Sequence, residues 1–494
     1  MAYRDIPVRQ PMNQDPDLAR AIEALRARLG GTLLQAGDEG YDAARELWNS
    51  MFDPEPALIA RCTDEQDVMA AVDFARTTGI LTAVRGGGHN AAGMGSCDGG
   101  FVIDLSPMQA VQVDASQRCT LVQGGATWAS VDRETQRHGL AVPGGMISST
   151  GVGGLTLGGG IGWLRGRHGL TIDNLLSVQV VTADGQLRTA SAEQNADLFW
   201  AVRGGGGNFG VITSFEFRLH PVGPEVMFLA TLYHAEEAPR VMRGWRDFLA
   251  TAPDDIQGTM VEFSTLPESS EFPPEAWGKP VIAVAGLWAG EAAEGERRVQ
   301  PLRELADPLI DLSGRLPYCE AQQLFDEVIP WGAHRAYFKS LFLDTLDDDL
   351  IETIAAYGTR RPTESTLFSV WRMGGAVQRV APDATAFGDR SMEWMLSIDT
   401  VWDRAEDDER CINWARGFWQ DIAGRSAARI YLNFSGLNEE GEHQLRTGLG
   451  EDNFRRLAAL KAVYDPDNLF RVNCNIPPAP ETPPPSAGRR LRER

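Results

Sequence analysis

The stretch "VRGGGHNAAGMG", Val84 to Gly95, sets one histidine between a run of three glycines and a further glycine at position 93. Glycine lets a backbone come close to a ligand and adopt positive φ, at an entropic cost that needs a reason. The spacing therefore reads as a loop that brings His89 towards a bound group. Two more clusters follow, "GVGGLTLGGGIG" (151–162) and "RGGGGNFG" (203–210). The last contains a formal G-x-G-x-x-G at Gly205, Gly207 and Gly210. A dinucleotide fingerprint must follow a strand and open a helix, whereas here the helix-like "DLFWAVR" precedes and a strand follows, so that reading is rejected. No G-x-x-x-x-G-K-[ST] is present, nor any paired Cys/His spacing that would hold a metal. Each cluster alone is explained by tight turns. Together they point to a long anionic cofactor laid along bare backbone, with phosphates held by peptide N–H groups.

Composition narrows the partners. The 494 residues are 43% hydrophobic and 23% charged, which is ordinary for a globular chain with a large core. Acidic residues outnumber basic ones 68 to 46, and the net charge of −22 repels nucleic acid and anionic membranes. The first residues, "MAYRDIPVRQPMNQDPD", hold no apolar leader segment, and "VIAVAGLWAG" (281–290) is too short to span a bilayer. A cytoplasmic protein acting on a small molecule, without nucleic acid or membrane partners, is expected. The six cysteines form no CxxC pair and read as buried or idle thiols.

Periodicity places the motifs. "ALIARC" (57–62) is read as a buried strand, "TDEQ" (63–66) as a capping box opening a helix that Gly79 closes, and "LTAV" (81–84) as the next strand. The glycine loop leaves this β-α-β unit. Strands are expected at 101–106, 111–114 and 119–125, a helix at 127–139, and a hairpin around Asp184-Gly185. "VITSFEFRLHPV" (211–222) alternates like a half-buried strand. After it the glycine clusters thin out and Trp, Pro and acidic residues increase, suggesting a second domain with its own sheet. The final "PAPETPPPSAGRRLRER" (478–494) reads as a flexible tail.

"VRGGGHNAAG", "GVGGLTLGGGIGWLRGRHGLTIDN" (151–174), "LFWAVRGGGGNFGVIT" (198–213), "YLNFSG" (431–436) and "LKAVYDPDNLFRVNCNI" (460–476) together resemble the berberine bridge enzyme-like branch of the vanillyl alcohol oxidase type flavoproteins. The resemblance runs from about residue 55 to residue 477 and is loosest over 223–429. It implies an α+β fold: a two-part FAD-binding domain (1–221 and 430–477) with an inserted antiparallel-sheet substrate domain (222–429). It also implies FAD bonded covalently through its 8α-methyl to His89. Arg85, Gly86, Gly87, Gly88, Asn90, Gly93, Thr150, Gly151, Gly153, Gly154, Gly158, Gly210, Val211, Ile212, Asn473 and Asn475 are the further cofactor-binding candidates. Many relatives carry a second tether, a cysteine four residues before the G-V-G-G run; Ile147 stands there, so a histidyl link alone is expected. Thr150 falls where the family controls oxygen access.

For catalysis the Y-x-N-[FY] element implies Tyr431 as proton acceptor over the flavin. Its ordinary pKa of about 10 calls for a neighbouring cation or the oxidised flavin to lower it, and Arg429 and Arg390 are candidates for the cation by sequence. "GGAVQRVAPDATAFGDR" (374–390) resembles the strand that carries a glutamate in some relatives and here offers Gln378. Tyr337, Lys339 and Trp371 are candidate substrate residues, with an amphipathic strand as the plainer reading of the first two, and Trp371 and Trp394 suit either ring stacking or the core. The implied activity is oxidation of an alcohol carbon, in a carbohydrate or hydroxylated natural product. Hydride passes to flavin N5, and O₂ is reduced to H₂O₂ by a monomer or homodimer. A dehydrogenase with another acceptor, or a flavin-carrying binding protein, is the alternative.

Overall fold

The computed structural model describes residues 16–269, 272–388, 390–426, 429–437 and 441–480; all but the first three residues of the expected tail lie outside the described residues. Three larger sheets and one two-stranded pair are found among the described residues. The first contains β1 (Thr32–Leu34), β2 (Leu58–Arg61), β3 (Thr82–Arg85) and β4 (Phe101–Asp104) in the order β1-β2-β4-β3. β2 and β3 both run parallel to β4, the pairing a β-α-β crossover demands. The crossover helix, Glu65–Thr78, is capped by Asp64, whose side chain accepts from the Asp67 N–H, so the cap lies one residue beyond the expected Thr63. The Asp67 carboxylate instead ties down the preceding chain, accepting from the Gly30, Gly31 and Thr63 N–H groups and from the Thr63 hydroxyl. Gly79 ends the helix at φ 65°, a left-handed conformation that favours glycine.

The second sheet is antiparallel throughout, β5 (Val111–Asp114), β6 (Cys119–Gln123), β10 (Val211–Arg218), β8 (Leu175–Val181) and β9 (Leu187–Ser191) in that spatial order. β8 and β9 form the hairpin turned at Gly185. β10 is the central strand, and its Phe215 and Phe217 are fully buried, so it is more enclosed than its alternation suggests. Short strands β7 (Leu140–Ala141) and β11 (His220–Pro221) pair beside it.

The third sheet holds β12 (Glu225–His234), β13 (Met260–Thr265), β14 (Pro280–Trp288), β15 (Ile310–Asp311), β16 (Gly314–Pro317), β17 (Arg335–Leu343), β18 (Leu367–Arg372) and β19 (Trp394–Trp402). Its order is β15-β12-β14-β13-β18-β19-β17, with β16 also on β12, and every pairing is antiparallel. One face is sealed by helices that supply Trp245, Ile351 and Phe418 to a core with Val261, Phe263, Phe368, Leu396 and Ile398. Because side chains alternate along a strand, the residues between these point to the opposite face. That second face looks towards the glycine loops. Among the described residues no helix is long and apolar enough to cross a membrane.

Candidate active site

A cavity of about 370 Å³ opens between the glycine loops and the free face of the third sheet. Gly86, Gly87, Gly88, His89 and Asn90 line one wall, Thr150, Gly151, Gly153, Gly154 and Gly158 another, and Gly210, Ile212 and Asn473 close the far end. The bare walls are structural necessities. A Cβ on Gly87 would lie 2.5 Å from the Gly151 backbone and one on Gly158 2.1 Å from Asn433, so the two loops meet only because both are glycine. A Cβ on Gly154, by contrast, would meet nothing within 4 Å. Asn473 donates to the Gly207 and Phe470 carbonyls while its own Oδ1 is buried without a partner. A cleft with bare peptide walls and an unpaired amide oxygen fits a long, polar and flat cofactor such as FAD.

His89 stacks on Trp48 at 5.5 Å between centroids and meets the Trp331 ring edge-on at 5.1 Å. Its Nε2 lies 2.9 Å from Ser149 Oγ. Burial pushes its pKa down to about 3, so the imidazole is neutral and one nitrogen carries an unprotonated lone pair at physiological pH. That is the state an attacking nitrogen needs. Ile147 lines the same cavity.

Not every expected cofactor residue reaches the cavity. Arg85 turns away to donate to the Ala44 carbonyl beside Asp104, and Gly93 exists because a Cβ there would strike the Phe52 ring at 2.6 Å. Val211 packs into the core under the first sheet, and Asn475 lies outside the lining with its Oδ1 buried and unpaired.

The substrate side needs more correction. Gln378 sits on a helical turn, Ala376–Arg379, not a strand, and its amide donates to the Ser391 and Met392 carbonyls away from the cavity. Tyr337 and Lys339 share a face of β17, but it is the helix-covered one: Tyr337 is wholly buried with its hydroxyl near Arg416, and the Lys339 ammonium sits 4.6 Å from the centre of the Trp419 ring. Phe338, between them, is the residue that faces the cavity. Trp394 is core, stacked under Arg372. Trp371 does line the cavity, its indole N–H donating to Ser369 Oγ.

Tyr431 is nearly inaccessible and faces the cavity, its hydroxyl accepting from Asn433 Nδ2 at 2.7 Å and from the Gly160 N–H at 3.2 Å. Burial pushes its pKa up to about 12, with those donors working the other way. The two cations expected to assist it are paired elsewhere among the described residues, Arg390 with Asp173 and Arg429 with Asp344.

Two carboxyls that sequence reasoning passed over occupy the cavity floor. Glu262 on β13 and Asp399 on β19 are each 7% exposed. The register sets Glu262 opposite Ser369, Ser369 opposite Ser397, and Ser397 opposite Ser340, a polar row across four strands. Asp399 lies one step along, between Leu367 and Phe338, and accepts from the Ser397 hydroxyl at 2.7 Å. Burial raises Asp399 to about 7, offset by that hydrogen bond. Burial raises Glu262 to about 8, reinforced by the Asp399 charge and opposed by Arg361. The available signal was an acid interrupting the apolar runs "MVEFS" and "MLSIDT", where a buried strand has no reason to carry one unless it serves a site.

A glycine-walled cofactor cleft facing the open side of an antiparallel sheet defines a flavin-dependent oxidoreductase of two-part construction. The comparisons agree. Residues 56–191 match the FAD binding domain family, and residues 431–477 match the family described as berberine and berberine like. An uncharacterized FAD-linked oxidoreductase of Bacillus subtilis is 31% identical over 465 residues, covering 92% of this chain and 98% of its own. The (R)-6-hydroxynicotine oxidase of Paenarthrobacter nicotinovorans is 29% identical, covering 91% and 97%. Among solved structures, 6-hydroxy-D-nicotine oxidase from Arthrobacter nicotinovorans superposes with a TM-score of 0.80 at 27% identity over 91% of this chain and 98% of that one. A chitooligosaccharide oxidase shares the fold at a TM-score of 0.81 and 22% identity, covering 93% of this chain and 100% of that one. The chain belongs to the berberine bridge enzyme-like FAD-linked oxidoreductases.

Proposed function

We propose that this enzyme oxidises a carbon bearing a hydroxyl group, with FAD held through His89 alone and O₂ as the final acceptor. When bound, FAD supplies the two-electron acceptor for a hydride from that carbon and hands the electrons to O₂, releasing H₂O₂. The chain's own part is to orient the substrate, exclude water and remove the hydroxyl proton.

Asp399 carries this reading. A base that works near neutral pH must be ionised there yet basic enough to take a proton, and a carboxyl raised to about 7 meets both demands. Tyr431, pushed to about 12, is the poorer acceptor. Its hydroxyl is held by Asn433 and Gly160, which suits it to position the substrate oxygen and relay a proton. Phe338, Trp371 and Phe434 line the same cavity with apolar surface, and a substrate seated against them would displace water from these contacts.

An oxygen electrode with a panel of benzylic alcohols and sugars tests the reading: oxygen uptake with stoichiometric peroxide is expected from holoenzyme. Flavin that bleaches anaerobically but does not recolour in air would transfer the protein to the dehydrogenases.

A further inference from the structure

One carboxyl is enough to take a hydroxyl proton, and the cavity has two. Glu262 is separated from Asp399 by one intervening strand and a two-residue offset along it, so their backbones stand about 12 Å apart and the two groups serve different parts of a ligand. Asp399 has Ser397 as a donor, while Glu262 has no hydrogen-bond donor among the described residues. Among the described residues lining the cavity there is no Lys or Arg. The cations nearby are committed elsewhere. Arg361 donates to the Ser264 and Thr366 carbonyls and to Thr265 Oγ1, and Arg165 lies against Trp371 while donating to the Gly162, Thr259 and Arg372 carbonyls. An acid buried without a hydrogen-bond donor, facing only the Arg361 charge that is tied to other partners, is costly to ionise unless a ligand adds a positive charge.

The second observation is aromatic. Phe434 meets three rings edge-on: Tyr431 at 5.2 Å, Phe338 at 5.5 Å and Trp371 at 6.4 Å. All four line the same cavity. Rings lining the same cavity as a carboxyl with no hydrogen-bond donor suit an organic cation, since ring faces attract positive charge that carbohydrate hydroxyls do not carry.

We propose that the substrate carries a protonated amine, held by the Glu262 carboxylate within the Trp371, Phe434, Phe338 and Tyr431 rings, while its hydroxyl reaches Asp399. This deepens the alcohol-oxidase reading and rests on it for the role of Asp399, but not for the cation site. Glu262 is a positioning group for the ammonium end; no proton or electron passes through it.

The test compares two probes that differ in one group, 4-(aminomethyl)benzyl alcohol and 1,4-benzenedimethanol, with cellobiose as the sugar arm. Each is titrated anaerobically into holoenzyme while flavin absorbance is followed, giving affinity from the spectral shift and oxidation from bleaching. The amino alcohol is expected to bind at least tenfold more tightly than the diol, and benzyltrimethylammonium chloride to compete with it where sodium chloride at equal ionic strength does not. Glu262→Gln is expected to bring the two probes within twofold of each other while flavin content is retained. Equal affinities in wild type, preference for cellobiose, or a preference unchanged in Glu262→Gln would each overturn the cation site. The competition by benzyltrimethylammonium in wild type stands even if the variant does not load flavin. Bleaching by the diol or cellobiose without amine preference sinks this inference and leaves the oxidase reading intact, whereas amine-selective binding with no bleaching by any alcohol does the reverse.

Discussion

His89 and Asp399 are shifted by the same cause in opposite senses. Burial disfavours charge, so it lowers the imidazole and raises the carboxyl, leaving a neutral imidazole on one wall of the cavity and a carboxyl poised near 7 on its floor. Acid-precipitated wild-type protein is therefore expected to stay yellow and its intact mass to exceed the chain by one FAD, while His89→Ala releases all flavin into the supernatant. For Asp399 the working form is ionised, so kcat/KM is expected to fall about tenfold per pH unit below about 7, where the group protonates. Asp399→Asn is expected to slow anaerobic flavin reduction by about 10²- to 10⁴-fold and to erase that acid limb. A Tyr431→Phe variant that loses as much rate as Asp399→Asn would reverse the assignment of the base. The histidine is legible in the sequence because glycine surrounds it. The acid is not, because a single carboxyl in an apolar strand becomes a catalytic candidate only once the register shows which face it occupies.

At the level of elements, the strand period explains both success and error. Tyr337 and Lys339 are two apart and so share one face, but nothing in "HRAYFKS" says which face meets the helices. That is decided by the helix Asp408–Ala423, whose Arg416 and Trp419 take Tyr337 and Lys339 and leave Phe338 to the cavity. The short-range signals fare better: the helix stop at Gly79 and the turn at Gly185 stand where expected, since each is set by backbone conformation within a few residues. The motif "LKAVYDPDNLF" also acquires a physical reason. Lys461, fully buried on the helix Glu451–Tyr464, pairs with Asp465 at 2.6 Å and donates to the Asn208 and Phe470 carbonyls. Asp465 in turn accepts from the Leu469 and Phe470 N–H groups, so one ion pair locks the last helix to the third glycine cluster. Lys461→Met leaves a buried carboxylate without its cation, and chemical denaturation is expected to show a loss of about 3–5 kcal/mol. A loss under about 1 kcal/mol would mean that the pair is dispensable to the fold.

Across the whole molecule, the cavity exists because two bodies of structure are held at a fixed separation. The glycine loops belong to the first and second sheets, and the carboxyls to the third, so any slippage between them would move His89 relative to Asp399. Buried arginines fix that spacing. Arg390 on the segment after β18 pairs with Asp173 at 2.9 Å, and Arg165, from the stretch following the second glycine cluster, reaches Thr259 and Arg372 beside β13 and β18. Arg165 also donates to Gly162, so its guanidinium satisfies three carbonyls with no carboxylate among those partners. Arg165→Met keeps the bulk and removes the donors. The Thr259 and Gly162 carbonyls keep the Arg372 and Arg165 backbone N–H groups, so the loss is mainly that of the side-chain donors, and about 1–3 kcal/mol is expected by thermal or denaturant unfolding. Flavin reduction is expected to slow as well, because the substrate's carbon would no longer be held at a fixed distance from the cofactor wall. Arg167 is the control: its pair with Asp255 is partly exposed, and Arg167→Ala is expected to cost under about 1 kcal/mol and to leave flavin reduction unchanged. If Arg165→Met destabilises the chain but reduces flavin at the wild-type rate, the spacing is held by other contacts and Arg165 only fills the interior.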